Sequence, residues 1–436
     1  MSQVMEIRVD YVARVEGQAE ILVKVAGGRV EEAKLAVFEP PRFFESFMIG
    51  RRCGEAHEIA SRICGICHVP HQVAALEAVE DGLGIEVDDQ TRALRKLLNY
   101  ANHISSHALS VYFLSIPDYF GKPDVISMAS EHPDLVRNAI RLKKVGDDIT
   151  ERFGGRAIHP VTLVVNGFTR IPTKADLEWA KRELLAMKGF AMEGIDFVAD
   201  LDMPDFERRC EHIALSQADQ YAINEGRLIS TEGLDISPRE YRAHIEETHT
   251  DYSWTKRSIV KGRDSFLVGP LARVNLNFDK LSDDAREAGR RVGFKPPVFN
   301  PFMAVLARAI ELINAIDDSV SIIENLKIEK GPVTEESFEV KAGDGFAIVE
   351  APRGILYHNY SFDSKGVIKK ADVVTPTAHN SRNIERDLEA LAPELREISP
   401  EEAKLKCEML VRAYDPCISC SVHLVEVRRS EGIKPL

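Results

Sequence analysis

Apolar and polar residues alternate across positions 4–40, with Ile21, Val23 and Val25 in one run and Val30, Ala33, Leu35 and Val37 in the next. A period of two buries one face of a strand, and Gly27-Gly28 between the runs predicts a hairpin. Residues 41–60 mix aromatics with an amphipathic helical pattern. From Val69 the period changes: Val73, Leu76, Val79 and Leu83 recur every three or four residues, the stripe of a buried helix face. Pro70 suits its first turn, and Gly82 and Gly84 predict its end. Similar patterns predict helices near 90–115, 131–153, 174–199, 205–225, 280–292, 301–325, 381–391 and 400–413. The stretch 226–275, rich in Gly, Pro and aromatics, reads as loops and short strands. Residues 337–375, around FAIVEAPRGILYHNY, read as β-rich. No repeat or linker divides the chain, so the pattern predicts one α+β domain with a helical middle.

Composition narrows the function classes. With 44 % hydrophobic and 29 % charged residues in 436, the chain can build a core large enough to exclude water. A net charge of -13 without a basic stripe argues against nucleic acid as a partner. The charged N-terminus MSQVMEIRVDYVARVEG has no secretory h-region, and no apolar run approaches membrane-spanning length. A cytoplasmic protein without direct membrane insertion is expected.

The cysteines carry the chemistry. Cys64 and Cys67 stand in RICGICHVPH, and Cys417 and Cys420 stand in DPCISCSVH at the other end of the chain. An i, i+3 spacing lets two thiolates reach one ion from a single turn, and two such pairs supply the sulfur set soft metals favour. Arg62 and the start of the following helix favour thiolate at the first pair, and Gly65 suggests close backbone approach to an ion. Asp415 adds a carboxylate beside the second pair. Spacing alone leaves a four-cysteine zinc site and a dithiol redox pair open. Two facts weaken zinc: zinc ribbons keep their halves close in sequence to stabilise small folds, and a chain of this size needs no such help.

The wider motifs resemble the large, catalytic subunit of nickel–iron hydrogenases: ARVEG, RFFESF, RICGICHVPH, EAPRGILYH, VVTPTAHN and DPCISCSVH occur in that family's order. RFFE, SHAL, PDY and DPCISCSVH look most like the alpha subunits of cytoplasmic, NADP-linked bidirectional hydrogenases, also called sulfhydrogenases. The resemblance implies a single domain with a central helical bundle and peripheral β-hairpins and sheets, spanning 1–423. It implies that Cys64 and Cys417 are terminal nickel ligands, with Cys67 and Cys420 bridging to an iron that carries CO and CN. Arg353 would stand over the open position between the metals, with Pro352 and Thr377 lining the diatomic ligands. Dihydrogen is a very weak acid, so its heterolysis needs a metal and a base acting together. The Cys417 thiolate would take the proton and pass it to Glu16, with Arg353 as a rival base. His71 would hydrogen-bond a bridging sulfur. Glu45, His423 and a carbonyl near Val373 would hold magnesium. An endopeptidase would cut after His423 and remove the 424–436 peptide during maturation.

Departures and absences bound this reading. Gln18 stands where many relatives have His, and Ser106 replaces an Asp that often frames the active-site arginine. Alone, Glu16 would be a surface carboxylate, Arg353 a turn arginine paired with Glu350, His71 a core histidine, and His103 with His107 a structural pair. No phosphate-binding glycine loop occurs, so NAD(P) or flavin would bind another subunit, of diaphorase type. Only Cys53, Cys210 and Cys407 remain, too few for an all-cysteine iron–sulfur cluster. A small subunit carrying the clusters is therefore an expected partner. An energy-converting, membrane-associated hydrogenase and a non-catalytic respiratory-complex homologue are the rival readings.

Overall fold

The alternating N-terminal pattern forms a hairpin and one strand more. Ala19–Ala26 pairs with Arg29–Val37, and Val4–Val9 adds to the outer side of the first, giving an antiparallel three-stranded sheet. Ile21, Val23, Leu35 and Val37 are buried on one face, as the period requires. The computed structural model describes residues 4–27, 29–334 and 338–422; His423 and the 424–436 peptide lie outside the described residues.

The 41–60 segment breaks into Phe44–Met48, a 3-10 turn at Cys53–Glu55 and Ala56–Ser61. Gly50, at φ 85°, turns the chain between them. The next helix, His68–Leu83, is buried along most of its length and ends at Gly84 in the left-handed region. Gly82 does not end it. A Cβ there would lie 2.7 Å from the Phe362 ring, so the bare position lets a β-hairpin cross the helix closely.

Four long helices form the middle: Asp89–Ala108, Pro133–Gly154, Lys174–Ala199 and Ala304–Asn325. The last packs against the first and third, while Asp89–Ala108 also packs on Pro133–Gly154. Ala304–Asn325 is buried almost all round through Ile316, which marks a central helix. Side-chain caps start several of them: Asp88 accepts from the Thr91 amide at 2.7 Å, and Thr173 and Asp176 form a reciprocal capping box. The 90–115 pattern ends in a π-helical stretch, Leu109–Ser115.

The helix expected at 205–225 is absent. Glu211–Ser216 is a strand, placed between Phe266–Leu267 and Arg227–Ser230 in a four-stranded sheet. Ile213, Ala214 and Leu215 are all fully buried. Such a short apolar run fits a buried strand as well as a helix turn, and the partners on both sides decide it. The β-rich stretch is a three-stranded antiparallel sheet, Gly343–Ala351, Gly354–Phe362 and Ile368–Val374. Ala351 pairs with Gly354, which leaves Pro352 and Arg353 as the two-residue hairpin tip. Pro376–Leu395 starts earlier than expected, with Pro376 in its first turn, and Pro400–Tyr414 delivers the chain to the last cysteines. The whole is an α+β fold with a helical centre and peripheral sheets.

Candidate metal centre

Cys64 and Cys67 occupy the tight turn between Ala56–Ser61 and His68–Leu83, with Cys67 at the helix N-cap. The amides of Ile66 and Cys67 donate to the Cys64 sulfur at 3.3 and 3.1 Å. Cys417 and Cys420 come from the opposite side, on the turn and short helix after Tyr414. All four sulfurs are buried and lie within 4.8 Å of one another. Across the two chain ends, Cys64 faces Cys417 at 3.4 Å and Cys67 faces Cys420 at 4.0 Å. Cys417 and Cys420 are in disulfide contact; as ligands both would be thiolates. Gly65 has open space where a Cβ would stand, so close packing is not its contribution.

The electrostatics divide the first pair. Burial pushes both thiols up, but a hydrogen bond from Cys67 and the charge of Arg353 hold Cys64 below the ordinary thiol value. Cys67 is pushed well up, first by that same hydrogen bond and then by burial. The two buried thiols are thus pushed in opposite directions by their shared hydrogen bond.

Arg353 reaches this pocket from the hairpin tip. Its Nε donates to the Asp415 carbonyl at 2.7 Å, and its Nη2 donates to Asp415 Oδ1 at 3.0 Å. Its partner is therefore Asp415 rather than Glu350. Among the described residues, Arg353 Nη1 and Asp415 Oδ2 have no hydrogen-bond partner although both are buried. Burial opposes the Arg353 charge, but Asp415 and the neighbouring Cys67 and Cys64 outweigh it and raise its pKa. The Pro352 carbonyl accepts from Arg273 at 3.0 Å, and Thr377 Oγ1 accepts from the Cys417 amide at 2.8 Å. Ser106 is buried, with a hydroxyl that has no partner among the described residues.

Glu16 is no surface carboxylate. Residues 16 and 417 form a parallel bridge, and the Glu16 carbonyl accepts from the Ile418 amide at 2.8 Å. Cys417 Sγ lies 3.2 Å from Glu16 Oε2, which also accepts from the Ser419 amide at 3.0 Å, while the Ser419 hydroxyl donates to Oε1. Gly17, at φ 89°, makes this approach possible: a Cβ there would lie 2.5 Å from that of Ile418.

The magnesium candidates are only partly visible, since His423 lies outside the described residues. Glu45 is half-buried and accepts from the Val373 amide at 2.8 Å. Burial raises its carboxyl to about 7 against Lys256, with Asp372 and Glu247 adding negative charge nearby. His71 Nδ1 faces His358 Nε2 at 3.3 Å, and His358 Nδ1 bonds the Tyr360 hydroxyl at 2.6 Å. His103 and His107 stay structural: their rings meet edge to face, and His107 bonds Glu311 at 2.8 Å.

Sequence reasoning noticed Asp415 only as an extra carboxylate and missed Ser419. The position of Asp415, two residues before a ligand-spaced cysteine, was the available signal. Four soft donors in one buried pocket, with a guanidinium N–H left over beside them, fit a thiolate-bound metal centre.

Comparison with known proteins separates the metals that such a donor set could hold. The family model for nickel-dependent hydrogenase matches residues 42–139 and 221–423, a span that contains all four cysteines. The alpha chain of sulfhydrogenase 1 from Pyrococcus furiosus is 35% identical, covering 97% of this chain and 99% of the relative. The alpha chain of sulfhydrogenase 2 from the same organism is 34% identical, covering 97% of this chain and 100% of the relative. Among solved structures, an NAD+-reducing [NiFe]-hydrogenase in the H2-reduced state superimposes with a TM-score of 0.87 at 24% identity, over 96% of this chain and 99% of that one. Geometry, family model and near full-length relatives agree, and the chain belongs to the nickel-dependent hydrogenase family.

Proposed function

We propose that this catalytic large subunit splits H2 reversibly into protons and electrons, using Cys417 and Glu16 as the first two stations of the proton. The observation that carries this is the 3.2 Å contact between Cys417 Sγ and Glu16 Oε2, made inside the four-sulfur pocket. Cys64 and Cys417 would bind nickel terminally, and Cys67 and Cys420 would bridge to an iron bearing CO and CN. Once bound, the two metals supply Lewis acidity and an acceptor for the electron pair.

The residues supply the rest. The Cys417 sulfur accepts the proton, and the carboxylate of Glu16 takes it across the hydrogen bond. The Ser419 amide and hydroxyl keep the Glu16 oxygens aimed at the sulfur. Arg353 would hold positive charge beside the metals, its unbonded Nη1 available to a ligand. Pro352 and Thr377 would line the diatomic ligands, and His71 would bond a cysteine sulfur that holds the metals. Glu45, a carbonyl near Val373 and His423 would hold magnesium, whose charge would offset the burial that raises the Glu45 carboxyl. Maturation would end with an endopeptidase cutting after His423.

Electrons must leave through partners. We assign them to a small subunit carrying iron–sulfur clusters and then to diaphorase-type subunits binding flavin and NAD(P). The names of the relatives support this route: the alpha chain of a sulfhydrogenase, and an NAD+-reducing enzyme with the same fold. No helix among the described residues is long and apolar enough to cross a membrane, which suits the proposed place in the cytoplasm.

Infrared spectroscopy of the purified complex, with metals quantified on the same sample, tests the centre. CO and CN stretching bands with one nickel and at least one iron per chain are expected; zinc alone without such bands would refute it. Glu16→Gln should keep metals and bands but slow H2/D+ exchange about 100-fold or more, the usual scale for losing a positioned acid–base group. Exchange at the wild-type rate would remove Glu16 from the path.

A further inference from the structure

The proton step depends on two loops from opposite ends of the chain lying side by side. Neither loop is regular structure at the critical residues. Arg14 is a non-glycine residue at φ 58°, and Asp415 is another at φ 52°. Such conformations persist only where surrounding contacts impose them. A buried ionic clamp on a third element holds Arg14 and the helix end that leads to Asp415, while Arg353 bonds Asp415 itself.

Asp118 sits in the short helix Ile116–Tyr119, at the end of the π-helical extension of Asp89–Ala108. Its side chain is 2 % exposed and pairs with Arg14 of the N-terminal loop and with Arg412 at the end of the helix Pro400–Tyr414. Arg412 Nε donates to Asp118 Oδ2 at 2.7 Å and Arg412 Nη2 donates to Oδ1 at 2.9 Å, a two-pronged pair. Arg14 Nη2 donates to the same Oδ1. The remaining arms close the clamp: Arg412 Nη1 reaches the Ala13 carbonyl at 2.8 Å, and Arg14 Nη1 reaches the Leu114 carbonyl at 2.6 Å. Glu408 lies 3.6 Å from Arg412 Nη1 and balances the second positive charge.

The clamped residues lie just outside the reacting pair. Arg14 is separated from Glu16 only by Val15, and Arg412 occupies the last turn of the helix that leads through Asp415 and Pro416 to Cys417. Fixing Arg14 to Arg412 therefore fixes the Glu16 carboxylate against the Cys417 sulfur. Asp118 touches neither of them. We infer that Asp118 is a positioning residue for the Cys417-to-Glu16 proton transfer, setting the register of the two loops through Arg14 and Arg412. This rests on the proposed role of Glu16.

The experiment uses the purified, metal-loaded complex. Asp118→Asn keeps the shape of the side chain but gives up the charge that two arginines share. Nickel and iron content and the infrared bands of the diatomic ligands should stay as in wild type. H2/D+ exchange per bound nickel should fall about 10- to 100-fold, the scale of a misplacement near 1 Å in a proton-transfer pair. Asp118→Glu should recover part of that loss. Because Asp118 acts through Glu16, the double variant D118N/E16Q should exchange no more slowly than E16Q alone. A purely structural role would instead lower metal content and exchange together and would add to E16Q. Wild-type exchange per nickel in D118N, or an additive double variant, overturns the inference. If D118N does not accumulate, Arg14→Lys, whose side chain is 17% exposed, loosens one prong and is read the same way. E16Q with unchanged exchange would defeat the proposed reading of Glu16 itself. A slow E16Q beside a fast D118N would defeat only the positioning role.

Discussion

Two buried polar regions of this molecule lie one hairpin turn apart and are built to opposite standards. Around Arg273 every carboxylate oxygen is bonded. Glu311 Oε1 accepts from Arg273 Nε and Tyr221 at 2.6 Å each, and Oε2 accepts from Arg273 Nη2 at 2.7 Å and bonds His107 at 2.8 Å. Glu350 takes the Leu215 amide at 2.9 Å and Arg273 Nη1 at 2.9 Å. In the thiol pocket, Arg353 Nη1 and Asp415 Oδ2 are buried without partners among the described residues. Buried polar groups cost free energy unless bonded, so the first region reads as scaffold and the second as a place made for a ligand. The two are also connected. Arg273 donates to the carbonyls of Ala351 and Pro352, which carry the hairpin tip, and so the satisfied network holds the backbone from which Arg353 projects.

The largest effect should come from the ligand side. Cys417→Ser is expected to abolish H2 uptake and to lower nickel content, because a hydroxyl does not replace a thiolate toward a soft metal. Full uptake by this variant would remove Cys417 from the centre. Next comes a matched pair that breaks the comparison directly. Arg273→Lys offers three donors where five bonds are made, so a buried carboxylate loses its partner. A cost of about 3–5 kcal/mol in unfolding free energy is expected, as for other broken buried pairs. Arg353→Lys keeps its charge near Asp415 and surrenders two bonds, costing about 1–2 kcal/mol, while H2 uptake falls about 100-fold for want of the guanidinium. Denaturant unfolding and H2 uptake on the same preparations decide it. If R353K proved as unstable as R273K, the division between scaffold and site would collapse.

Legibility followed range. The His68–Leu83 helix could be read because its stripe and its closing Gly84 are local. The cysteine pairs could be read because a metal turn is also local, though only their wider motifs linked the two ends. Glu211–Ser216 could not be read, since its strand character comes from partners on either side and not from its own apolar run. The Arg353–Asp415 pair was missed for a similar reason. Glu350 is the nearer acid in sequence, but hairpin register turns it to Arg273 and leaves Arg353 at the tip. Asp118 and its two arginines come from three distant segments, and nothing in any one of them announces the clamp.

The smallest effect is a change of slope, and it concerns the scaffold alone. His212, buried in Glu211–Ser216, is pushed down to about 4, by burial first and by Arg208 second. Asn275 Nδ2 lies 2.8 Å from His212 Nδ1, a contact a neutral ring accepts. The unfolded chain takes up this proton from about pH 6.5, so His212 removes stability as pH falls from there toward 4. Glu350 works the other way. Burial raises it to about 7, although Arg273 opposes this, so its unfolded form ionises first and stability falls as pH rises from about 4.5 toward 7. Between pH 4.5 and 6.5 the two slopes oppose each other. His212→Gln removes one of them, so unfolding free energy across that window should tilt toward loss with rising pH, by at most about 1.4 kcal/mol per unit relative to wild type. Denaturant titrations at several pH values read this directly. Parallel curves for variant and wild type would mean that His212 is protonated in the fold, a buried charge in the strand Glu211–Ser216.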